Sequence, residues 1–100
     1  MKITKQINGK DMTIKLEGSL DTATAPELRQ VLDETINDID KLTFDFADLE
    51  YTSSAGLRVL LTANMHMLDK GGLTFLHVND EIMDTMTSAG LTEIFHIVAD

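Results

Sequence analysis

Cysteine is absent from this chain of 100 residues. Its absence removes disulfides, thiolate nucleophiles and cysteine-based zinc sites together. No apolar run approaches the length that crosses a bilayer. Met1-Lys2-Ile3-Thr4-Lys5 has neither an apolar core nor a small-residue cleavage site, so no secretory signal is expected. The expected location is the cytoplasm. Basic residues are scarce. Lys plus Arg number 8 against 17 Asp plus Glu, for a net charge of −9. Such a field repels phosphodiester backbones and anionic lipid, so neither nucleic acid nor membrane is an expected partner. Phosphate-cradling loops are missing too. Neither G-x-x-x-x-G-K-[ST] nor G-x-G-x-x-G occurs, and no cofactor is expected.

What is present reads as an ordinary globular domain. Hydrophobic residues make up 43% and charged residues 25%, which argues against global disorder. The length fits one domain over residues 1–100. Residues 2–7 alternate loosely and end at Asn8-Gly9, a hairpin signal. Met12 to Glu17 alternates strictly between apolar and polar, the mark of a half-buried strand, and Gly18 is read as its stop. Ser19 to Ala23 reads as a loop. Thr24 followed by Pro26 and Glu27 looks like a capped helix start. Leu28, Val31, Leu32, Ile36 and Ile39 then recur at helical spacing.

Lys41 to Phe46 alternates again, with Leu42, Phe44 and Phe46 on one face. After Ala47 to Tyr51, Thr52-Ser53-Ser54 leads into a helix to about Leu68. Its inner face is expected to carry Leu57, Leu60, Leu61, Asn64 and Leu68. Gly71-Gly72 ends that helix. Leu73 to Val78 reads as a buried strand. Asn79-Asp80 caps a short helix carrying Ile82, Met83 and Met86, closed by Ser88-Ala89-Gly90. Glu93 to Val98 reads as a last strand. The order β-β-α-β-α-β-α-β implies a mixed α/β sheet, mostly parallel, with an antiparallel N-terminal hairpin and helices packed against it.

Tyr51-Thr52-Ser53-Ser54-Ala55-Gly56-Leu57 is the most informative stretch. It joins a strand end to a helix start, where ligands gather in open α/β sheets. Free backbone N–H groups and the positive helix end lie there. One cap needs one hydroxyl, and three stand in a row. A serine-hydrolase reading fails, because no glycine stands two residues before either serine. His66 falls about three turns along the same helix, too far to act as a base. His77 and His96 read as ordinary surface or core histidines, and no histidine pair has ligand spacing. Asp45 and Asp48 could look like paired acids, but alternation places them on opposite strand faces, so solvation and turn formation explain them better. Met65, Met67, Met83 and Met86 read as core filler and rim.

With these segments placed, the whole chain resembles a STAS domain, specifically a stand-alone bacterial anti-sigma factor antagonist. Gly18-Ser19-Leu20-Asp21 is similar to the family's G-x-[LI]-D segment. Phe44 to Leu49 followed by Tyr51 to Leu57 resembles its most specific motif. Ser88-Ala89-Gly90-Leu91 resembles its late S-G-L turn. The resemblance implies a binding protein rather than an enzyme. It implies phosphorylation at Ser54, two residues before the motif glycine. Many members carry Asp where Ser53 stands, and some carry a second hydroxyl where Ala55 stands. The implied partner-facing residues are Asp21, Thr22, Thr52, Ser53, Ser54, Ala55, Gly56 and Leu57. The implied partners are an anti-sigma factor that is also a serine kinase with a histidine-kinase-like ATP site, and a PP2C-type phosphatase. The competing implication within the family is an adaptor in a transporter complex or signalling array, without a phosphorylation switch.

Overall fold

The computed structural model describes residues 1–98. Strands β1 (Lys2–Asn8) and β2 (Asp11–Leu20) form the antiparallel hairpin. Asn8 pairs with Asp11, so the turn consists of Gly9 and Lys10, one step beyond the expected Asn8-Gly9. Gly9 takes φ 66° and Lys10 stays out of the left-handed region. Glycine in the first turn position is the type II′ pattern, whose twist suits a hairpin.

Strands β3 (Lys41–Thr52), β4 (Leu73–Leu76) and β5 (His96–Ile97) extend the sheet in the order β1-β2-β3-β4-β5. Every pairing after the hairpin is parallel. The connections carry α1 (Ala25–Thr35), α2 (Ser54–Met67) and α3 (Asp80–Ser88), as the mixed α/β reading expected. Met12, Ile14 and Leu16 of β2 are buried, while Thr13, Lys15 and Glu17 between them are half-buried. Strand β3 repeats the pattern with Leu42, Phe44 and Phe46. Strands sandwiched between helix layers read as continuous apolar runs; these alternate because helices cover one face only. The covered side is tied together by Phe44, Phe46, Phe75 and Phe95, with neighbouring ring centroids 4.7–5.7 Å apart.

Several element ends differ from expectation, each for a local reason. Strands β2 and β3 run on past Gly18 and Phe46. Register shifts between Lys15 and Glu17 and between Gly18 and Ser19 mark bulges in the pair. On β3 the buried positions therefore step from Phe46 to Leu49 to Thr52, and the broken alternation imitates a strand end. Strand β4 stops at Leu76 because His77 leaves the extended region, at φ 59°. Strand β5 is short because the N–H groups of Ile94 and Phe95 donate to the Leu91 carbonyl, at 3.0 and 2.8 Å, and not to the sheet. On α2, Met67 is buried and Leu68 is exposed, so Met67 completes the inner face expected of Leu68. Asn79 caps α3 as expected. Its Oδ1 accepts from Ile82 N–H at 2.8 Å, and its Nδ2 donates to the Leu49 carbonyl at 3.0 Å, fastening α3 to β3.

Candidate functional site

The parallel pairing of β2 and β3 brings the two singled-out segments together. Ser19 pairs with Tyr51 and Leu20 with Thr52. Beyond the ladder, Ser53 N–H donates to the Leu20 carbonyl at 2.8 Å. The loop that leaves β2 and the start of α2 are thus one continuous surface at the C-terminal edge of the sheet.

The loop after Leu20 is built by a reciprocal pair. Asp21 N–H donates to Thr24 Oγ1 at 2.8 Å, and Thr24 N–H donates to Asp21 Oδ1 at 3.0 Å. Ala23 N–H also donates to Asp21 Oδ1, at 3.0 Å. The Thr24 hydroxyl lies 2.8 Å from the Ser19 carbonyl and 3.0 Å from Asp21 Oδ1. Thr24 was expected to cap α1 with Glu27. It makes no cap bond to the helix, and its backbone is already helical. The box sits three residues earlier, with Asp21 as the cap and Thr24 as its returning partner. The pattern Asp-x-x-Thr was the available signal. Asp21 therefore shapes the loop itself. The bonds from Thr24, with a smaller one from Ala23, hold its carboxyl below the usual aspartate range.

The hydroxyls of Thr52, Ser53 and Ser54 have separate fates. Thr52 is 1% exposed, and its Oγ1 donates to the Ser53 carbonyl at 3.3 Å. Ser53 has the extended backbone of an N-cap (φ −92°, ψ 175°), and its Oγ accepts from Gly56 N–H at 3.3 Å. Ser54 is the first residue of α2 and is exposed. Among the described residues its hydroxyl has no hydrogen-bond partner, so it is the free nucleophile of the cluster. It stands at the positive end of a helix of 14 residues, where added negative charge is favourable.

Gly56 is fixed by close approach. A Cβ there would lie 2.6 Å from Thr52 Oγ1, 2.7 Å from Leu20 Cγ and 2.9 Å from the Leu20 carbonyl oxygen. Thr52, Gly56 and Leu57 are all buried, so these three expected partner-facing residues position the surface and do not form it. Asp21, Thr22, Ser53, Ser54 and Ala55 retain accessible surface. Tyr51, 44% exposed beside them, belongs to the same edge and was not in the expected set.

Other candidates lie elsewhere. His66 is exposed on α2 twelve residues after Ser54, about 18 Å along the axis. Asp45 and Asp48 were expected on opposite faces, and the bulge overturns that. Asp48 pairs with Lys15 at 2.9 Å, and both carboxylates act on Lys15, holding its ammonium above the usual lysine range, with the Asp48 hydrogen bond the largest cause. They belong to the open sheet face, away from Ser54. No group of three or more His, Asp or Glu suited to a metal occurs among the described residues. Among them, no helix is long and apolar enough to cross a membrane.

A singly covered mixed sheet, with a hydroxyl-rich helix start docked on the neighbouring strand's exit loop, defines a class of protein. The family model described as "Mlab, STAS domain" matches residues 3–99, and the chain belongs to the STAS family. No curated protein matches it. Solved structures similar in fold include several anti-sigma factor antagonists. One from Mycobacterium paratuberculosis superposes with a TM-score of 0.89 at 19% identity, over 99% of this chain and 86% of that one. SpoIIAA in its unphosphorylated form gives 0.77 at 14% identity, over 99% and 89%. The Bacillus cell fate determinant SpoIIAA in its phosphorylated form gives 0.76 at 16% identity, over 99% and 93%.

Proposed function

We propose that this chain is a single-domain, cytoplasmic anti-sigma factor antagonist switched by phosphorylation at Ser54. The observation that carries the proposal is the division of labour among the hydroxyls. Thr52 is buried and Ser53 is committed to the cap, which leaves Ser54 exposed for a kinase. In the unmodified state, the edge formed by Asp21, Thr22, Ser53, Ser54 and Ala55 binds an anti-sigma factor that is also a serine kinase. A sigma factor is thereby released. The kinase phosphorylates Ser54, the complex ends, and a PP2C-type phosphatase resets the protein.

The physics of the switch is local. Phosphate adds about −1.5 to −2 charges at pH 7. At the start of α2 these are tolerated, so the fold survives. SpoIIAA has been solved in both phosphorylation states, and both superpose on this chain almost equally well, which supports a switch without refolding. In a docked interface the phosphate must be desolvated near the Asp21 carboxylate. A penalty of about 3 kcal/mol weakens binding more than a hundredfold.

One observation favours a second reading. The matching family model carries the Mlab description and not an antagonist's. That reading is a STAS adaptor for a transporter complex or signalling array. The two separate in a pull-down from source lysate with wild type and Ser54→Asp as baits. The antagonist reading expects a serine-kinase anti-sigma factor on the wild type alone. Transporter or array subunits retained equally by both baits would overturn it in favour of the adaptor.

A further inference from the structure

A groove of about 490 Å³ runs between α1 and α2. Both helices leave the same sheet edge, following parallel strands, so they run side by side in the same direction. Ala25, Leu32, Ile36 and Ala63 form its buried apolar floor. Small side chains at Ala25, Ala55 and Ala63 leave the space open. Arg29 from α1 and Arg58 from α2 line opposite walls, each about one turn below the helix starts. These are the only arginines in the chain, and they share one groove in a protein of net charge −9. Among the described residues neither guanidinium has a hydrogen bond or an ion pair. Asp33 and His66 line the groove further down, with Ile36.

We infer that this groove binds a small amphiphilic anion, a carboxylate or phosphate head on an apolar chain. The head sits between Arg29 and Arg58, whose planar forks match such oxyanions. The chain lies along the floor past Leu32 toward Ile36. The volume falls within the roughly 300–1,000 Å³ of small-molecule sites, which are apolar with a few placed polar groups. Ser54 is not part of the lining. Thr22 and Ala55 of the proposed partner edge do line it, and Arg58 stands one turn after Ser54 on α2. The ligand's recognition needs only the two arginines and the floor, so this inference does not rest on the proposed switch.

The test is an amide NMR titration of the full chain with octanoate, with octan-1-ol and octylammonium as chain-matched controls. Arg29→Gln and Arg58→Gln are run beside the wild type. The inference expects saturable shifts centred on Arg29, Leu32, Arg58 and Ala63 with octanoate, and weak or no shifts with the controls. Each substitution should weaken octanoate binding about tenfold or more, the worth of one charge-assisted hydrogen bond. Thermal melts confirm that the variants stay folded. Absence of saturable binding would overturn the inference, as would equal binding of octan-1-ol or variants that bind like wild type. Shifts centred on the exposed Met65 and Leu68 would show adsorption to α2's outer end and also overturn it.

Discussion

The main-chain N–H of Ser53 donates to the carbonyl of Leu20 at 2.8 Å, joining the cap of α2 to the end of β2. This bond holds the exit loop of β2 against the serine cluster, and Gly56 lets the two backbones approach. Gly56→Ala should therefore destabilise the fold. The added Cβ meets backbone at 2.9 Å as well as side chains, so the overlap cannot be relieved by one rotamer change. The expected cost is about 1–3 kcal/mol, the usual range for overpacking. Urea unfolding measures it.

The two serines should separate cleanly. Ser53→Ala removes the acceptor for Gly56 N–H and should cost about 1 kcal/mol, typical of a lost N-cap. Ser54→Ala removes an exposed hydroxyl and should stay within about 0.5 kcal/mol of wild type. Thermal melts of the two variants check this. A larger loss for Ser54→Ala than for Ser53→Ala would reverse the assigned roles.

Asp21 gives a pH signature. Its hydrogen bonds lower the folded-state value relative to the unfolded one. Its stabilising contribution is thus complete above the ordinary aspartate value of about 3.9 and is lost as pH falls through the lowered value. A side-chain NMR titration should place the Asp21 midpoint below that of the other aspartates that lack such bonds. Asp21→Asn keeps the acceptor oxygen and should remove this component from the acid limb of the stability curve.

Asn64 is 4% exposed on the inner face of α2, and its Nδ2 finds no partner among the described residues. A buried unpaired donor is a standing cost. Asn64→Leu, of similar shape, should raise stability by about 1 kcal/mol and the melting temperature by about 4–8 °C. A drop in melting temperature would mean that Asn64 is satisfied by a group such as bound water.

The legible parts of the sequence were those that depend on local pattern. Strict alternation in Met12 to Glu17, the Asn79 cap and the hydroxyl run before Gly56 each gave a correct element. Bulges defeated the reading of β2 and β3. An extra residue shifts the apolar phase, so a continuing strand looks finished and Asp45 and Asp48 trade opposite faces for a shared one. Thr-x-x-Glu and Asp-x-x-Thr overlap at Thr24, and only geometry shows which box closes. Which of Thr52, Ser53 and Ser54 is free could not be read from order alone; burial and the bond to Gly56 decide it. That Arg29 and Arg58 line one groove depends on how two helices lie side by side, and no local pattern encodes that.

The central claim is that Ser54 is the hydroxyl that carries the switch. The most direct measurement is phosphosite mapping by peptide mass spectrometry, after incubating the protein with ATP and source lysate, with Ser54→Ala in parallel. The account predicts phosphate on Ser54 in the wild type and none in the variant. Phosphate on Ser53 or Thr52 would contradict the assignment, and an unmodified chain in an active lysate would contradict the switch itself.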